Sequence, residues 1–232
     1  MEDIAPGLLE QIRATFAKKI SENKNIANLY NAIQTGTATY IQAEDYAYEV
    51  GRALADSFAM HLSTGVLPDG KMYFNIADRV LRPLLEDDHK MIASAAEQVQ
   101  TALNRKAGIN IKAQTAAVDK DRIDGLIDKI ADAESFEDVA WVLDAPVVNY
   151  SQSVVEAVLK ANVDFQGKAG LRPKIIRKAE RRCCEWCSNL AGEYDYPDVH
   201  DDVYRRHENC RCTVDYDPGS GRRQNVHTKQ WK

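Results

Sequence analysis

No apolar run in these 232 residues approaches the roughly 20 that a membrane-spanning helix requires. The opening Met1-Glu2-Asp3 lacks the basic and apolar regions of a secretory leader, so a reducing compartment is expected, where cysteine serves metal binding rather than disulfides. There is no glycine-rich phosphate loop and no G-x-S-x-G elbow, which removes two common signatures of catalysis. Internal repeats and low-complexity tracts are also missing. Positive charge is scarce along most of the chain. Residues 1–170 hold 17 Lys+Arg against 25 Asp+Glu, a balance of −8, and residues 171–232 hold 13 against 10, a balance of +3. An acidic bulk argues against wrapping nucleic acid along the length of the protein, since phosphate binding rests on Lys and Arg.

What is present is helical periodicity, over residues 1–168. Ile4, Leu8, Ile12, Phe16 and Ile20 line one face, and Ile26, Leu29, Tyr30 and Ile33 repeat the pattern before Gly36. Thr39 and Gln42 form a capping box ahead of a stripe of Tyr46, Val50, Leu54 and Phe58. Residues 71–106 carry two stripes, Met72–Leu84 and Met91–Leu103, and Pro83 between them predicts a kink or break. Gly108 reads as a C-cap. Helices are expected over Asp121–Ala131, Phe136–Leu143 (with Ser135 as N-cap) and Val148–Phe165, ended by Gly167 and Gly170. These stripes read as core packing. Beyond them, Arg172–Lys178 and Cys212–Tyr216 have the composition of strands.

Four of the five cysteines gather in Cys184-Glu185-Trp186-Cys187 and, after 19 residues, His207-Glu208-Asn209-Cys210-Arg211-Cys212. Two residues between paired ligands let both reach one tetrahedral ion. The ligands expected for a structural Zn2+ are Cys184, Cys187, His207 and Cys210, with Cys212 the alternative to His207 and Cys183 a bystander. With all four positions taken, such a site staples the chain and leaves no place for a catalytic water. The plainer account, small thiols filling a core, leaves the paired spacing unexplained. Arg205 and Arg206 pair with the acidic 195–202 loop or, as favoured here, are solvated. Trp186 is a lid on the site or an interface anchor. His200, His207 and His227 would be the candidates in a zinc-knuckle nuclease, though a second histidine set on a following helix is missing.

Cys184-Glu-Trp-Cys187 with Leu190-x-Gly192, followed by Arg206-His207-Glu-Asn-Cys210-Arg-Cys212, resembles the C-terminal signature of phage minor head proteins of the Mu F-like head morphogenesis group. The helical half and the tail Val226–Trp231 resemble minor capsid proteins of phages of Gram-positive bacteria. The resemblance implies a low-copy virion protein, made in the host cytoplasm and built into the phage head, with no enzymatic role and no membrane. It implies contact with portal or major capsid protein and, through the more basic C-terminal part, with packaged DNA. It carries the metal-ligand role onto Cys184, Cys187, His207 and Cys210, and a turn role onto Gly192. The expected architecture is α+β: a helical domain over 1–168, a zinc-knuckle β module over 169–218 and a polar tail over 219–232. The rival expectations are a metal-dependent nuclease and a DNA-binding effector made during infection.

Overall fold

The computed structural model describes residues 3–181, 183–207 and 209–219. It is α+β. Seven α-helices come first: α1 (Ala5–Glu22), α2 (Lys24–Gln34), α3 (Tyr40–His61), α4 (Phe74–Lys106), α5 (Lys120–Ala131), α6 (Phe136–Val139) and α7 (Ala145–Lys168). After them come β1 (Lys174–Lys178), α8 (Glu185–Asn189), β2 (Gly192–Asp195) and β3 (Thr213–Asp217), the strands forming one antiparallel sheet in the order β2-β1-β3. No helix among the described residues is long and apolar enough to cross a membrane.

Local signals set most helix ends. The Thr39 amide donates to Gln42 Oε1 at 2.8 Å and the Ile41 amide to Thr39 Oγ1 at 3.3 Å, so the capping box opens α3. Asp119 caps α5 through the Arg122 amide, and Ser135 caps α6 through that of Glu137. Gly108, at φ +68°, closes α4 while the Ile109 amide reaches back to the Asn104 carbonyl. Of the kink or break expected at Pro83, the break does not occur: α4 runs through it. Val80, Leu81, Leu84 and Leu85 around it are wholly buried, and that packing outweighs the lost backbone hydrogen bond. The helix expected over Phe136–Leu143 ends as a 3-10 turn from Ala140. The polar β2 was not anticipated, and the expected tail beyond Gly219 lies outside the described residues.

The chain forms two compact units. The first takes residues 3–28, 47–91 and 117–152; the second takes 29–46, 92–116 and the described residues from 153 on. In the first, Leu8, Ile12 and Phe16 of α1, Val50, Leu54 and Phe58 of α3, and Ile123, Ile127 and Ile130 of α5 are all buried. Its core also holds a carboxyl. Asp88 is fully buried, accepts a 2.9 Å hydrogen bond from the Ser151 hydroxyl, and leaves Oδ1 without a partner. Burial lifts its pKa from 3.8 to about 7, against the Ser151 bond. The folded state therefore keeps a proton that the unfolded chain releases, and stability falls as pH rises from about 4 to about 7. This one group accounts for a loss on the order of 4 kcal/mol over that window. Asp88→Asn is expected to flatten that part of the wild-type profile in urea titrations; an unchanged slope would show that the carboxyl is not buried in the protonated form.

In the second unit the sheet and helical segments share one interior. Ile175 and Arg177 of β1 and Val214 and Tyr216 of β3 alternate onto the buried face, paired Ile175 with Tyr216 and Arg177 with Val214. A chain of buried polar groups carries that face onto the helices. Tyr40 donates to Gln100, Gln100 to Asn104 at 2.7 Å, and Gln166 to Asn104 at 2.9 Å. The Tyr216 hydroxyl donates to Gln166. Glu44 accepts from the Val214 amide at 3.2 Å. The ring of Tyr196 lies where a side chain on Gly167 would stand, so the loop after β2 rests on α7.

Candidate metal centre

The second unit brings the cysteine-rich segments together. Cys184 is the N-cap of α8, and its Sγ accepts from the Cys187 amide at 3.4 Å, which turns the two thiols toward each other. On the other side, the Cys210 amide donates to the His207 carbonyl across a turn in which Asn209 stands at φ +57°. Asparagine enters that left-handed region more readily than most residues. His207 Nε2 lies 3.3 Å from Cys184 Sγ and 3.1 Å from Cys187 Sγ, and Cys187 Sγ lies 3.5 Å from Cys210 Sγ. Thiolate and imidazole ligands at about 2.0–2.3 Å from a tetrahedral ion stand roughly 3.5–3.8 Å apart, so these donors would open by only a few tenths of an ångström to share a metal.

The donors form two candidate metal-binding groups: Cys184, Cys187 and His207, and Cys187, Cys210 and Cys212. Both include Cys187. Cys212 precedes β3, is buried, and accepts from the Glu180 amide at 3.4 Å. Cys183 packs beside this cluster without joining either group. His200 is exposed ahead of the 3-10 turn Asp201–Tyr204 and is in neither group, and His227 lies outside the described residues. Amides of α8, that of Cys187 first, hold the Cys184 thiol below its usual range. Burial pushes Cys187 and Cys210 above theirs, an electrostatic cost that a divalent cation offsets. Thiols and one imidazole are donors for a borderline-soft ion, which fits the chemistry read from the spacing.

Two arginines support the centre, and neither was recognised from sequence. Arg205 is exposed and pairs with Asp202, as one of the two expectations had it. Arg206 departs from both. Its side chain is 2% exposed and lies between Glu44 at 3.1 Å and Glu156 at 2.8 Å. It also donates to the Cys210 carbonyl at 3.0 Å, so the segment carrying His207 and Cys210 is tied to α3 and α7 through one guanidinium. Burial lifts the Glu44 carboxyl to about 8, with Arg206 opposing and Glu156 adding to the rise. Arg177, also buried, donates to the Val203 and Arg205 carbonyls at 2.5 and 2.9 Å. Trp186 is 39% exposed; its ring meets the His207 ring edge-on at 6.1 Å, and the Arg177 guanidinium lies 5.4 Å from its centroid. No family model, curated protein or solved structure matches the chain.

Proposed function

We propose that this protein is a minor head protein of a phage particle, a structural component that acts through interfaces and is stapled by zinc. The observation that carries the reading is the pair of candidate metal-binding groups, one of Cys184, Cys187 and His207 and one of Cys187, Cys210 and Cys212, which meet at Cys187 and come from the two segments that make up the family-like signature. A bound zinc ion would cross-link the turn at α8 to the segment entering β3, with its coordination filled by protein donors. This chain's own residues do the rest: Cys184 caps α8, Asn209 forms the opposing turn, and Arg206 anchors that turn to α3 and α7. The Leu190–Gly192 part of the signature leads from α8 into β2.

Apolar exposure supports an interface role. Between the end of α3 and the start of α4, Met60, Val66, Tyr73 and Phe74 are 65%, 46%, 41% and 54% exposed, and Trp141 is 53% exposed. Exposed large side chains that form one contiguous patch mark a surface that a partner covers, and these are the residues such a patch would draw on. In this reading portal or major capsid protein is that partner in the assembling head, and packaged DNA is the neighbour of the more basic C-terminal part. Quantitative mass spectrometry of purified, DNA-filled particles is the test. A reproducible signal at a few copies per particle is expected. Abundance in infected cells with absence from particles would overturn the virion assignment in favour of an effector or nuclease.

A further inference from the structure

Arg177 occupies a position where a strand normally places an apolar residue. It faces inward on β1 between buried Ile175 and the neighbouring Val214, and it is 2% exposed. A guanidinium cannot shed its charge, so burying it without an anion is expensive. No carboxylate among the described residues lies within ion-pair distance of it. Its partners are two backbone carbonyls, those of Val203 and Arg205, the face of Trp186, and Cys187 Sγ at 3.7 Å. Carbonyls orient a guanidinium without neutralising it. Among the described residues, the one partner able to carry negative charge is the sulfur common to both candidate metal-binding groups.

We propose that Arg177 is the outer-sphere cation of a metal–thiolate centre, a positioning residue whose charge sets how many thiolates that centre contains. This rests on the zinc reading above and extends it. A divalent ion with two thiolates and neutral ligands is uncharged and leaves Arg177 unbalanced. With three thiolates the centre carries −1, and with four −2. Among the described residues the buried guanidinium is balanced by at least three thiolates, as Cys187, Cys210 and Cys212 would supply, or Cys184 and Cys187 joined by one of the other two. The same side chain grips both halves of the site, reaching Cys187 on one side and, through the Val203 and Arg205 carbonyls, the segment leading to His207 on the other. It thus fixes ligand direction as well as charge, the usual work of groups around a metal's own ligands.

The test uses the full-length chain loaded with cobalt(II), whose thiolate charge-transfer absorption reports the number of sulfurs bound. Wild type is expected to show the intensity of three or more thiolates. Arg177→Met is expected to lose about 10- to 100-fold in zinc affinity by chelator competition and to shift the cobalt band. Arg177→Lys, which keeps the charge but not the fork, is expected to fall between the two, and it serves if the methionine variant does not fold. Affinity and spectrum unchanged in both variants would overturn the assignment, as would a wild-type centre with two thiolates or fewer. Wild type taking up no cobalt at all would end both the zinc reading and this proposal, an outcome visible before any substitution is made.

Discussion

Cys187→Ser is expected to unfold the second unit as a whole while the first keeps its structure. Cys187 belongs to both candidate metal-binding groups, so its loss disables either choice of ligands. A metal held at about 1,000 times its dissociation constant contributes about 4 kcal/mol, a large share of a domain's stability. The sheet that would loosen shares buried hydrogen bonds with Tyr40, Gln100, Asn104 and Gln166. Hydrogen exchange should therefore speed up in residues 40–46, 92–106 and 153–168 as well as from 171 on. Protection in 50–60, 76–90 and 121–131 should persist. If the site binds zinc as proposed, chelation of the wild-type protein is expected to give the same map. Loss confined to residues 171–219 would instead mark the sheet and cysteine loop as a module that folds apart from the helices.

Arg206→Met is expected to cost about 3–5 kcal/mol at neutral pH, because it leaves the buried Glu156 without its cation, beside a Glu44 that already holds its proton. The deficit relative to wild type should shrink as pH falls toward 5. A buried acid that has lost its cation takes up a proton more readily than one in the unfolded chain, so the folded variant gains on the unfolded one as the medium becomes more acid. Glu44→Gln should be far milder, since the Glu44 carboxyl already holds its proton to about pH 8 and the amide oxygen can still accept from Val214. Denaturant titrations at several pH values separate these outcomes. Equal losses in Arg206→Met and Glu44→Gln would show that the pair acts through packing and not charge.

The helices were legible because their signals are local. A stripe such as Leu8, Ile12 and Phe16, a cap such as Thr39 with Gln42, and a stop such as Gly108 each act within a few residues. Whether Pro83 would break its helix was not a local matter: four wholly buried neighbours keep α4 continuous through it. Strand β2 escaped notice because Gly192, Glu193 and Asp195 are exposed on an edge, where no apolar alternation is needed. The cysteine cluster could be read from spacing, since two short turns make both halves. Its supports could not. Arg206 looks like a surface charge until Glu156, 50 residues earlier, is brought beside it, and Arg177 looks like half of a charged flank until its strand turns it inward.

The bond between the Val214 amide and Glu44 joins positions 170 residues apart, and it constrains the order of events during synthesis. A ribosome makes the start of α3 long before it makes β3, so Glu44 and Tyr40 leave the exit tunnel into a unit that lacks its sheet. Until the chain has emerged past Tyr216, the inner face of those helices has neither its tyrosine partner nor its arginine. The second unit is thus completed only after translation has passed β3, and a nascent protein stalled before it presents an open polar seam to the chaperones around it.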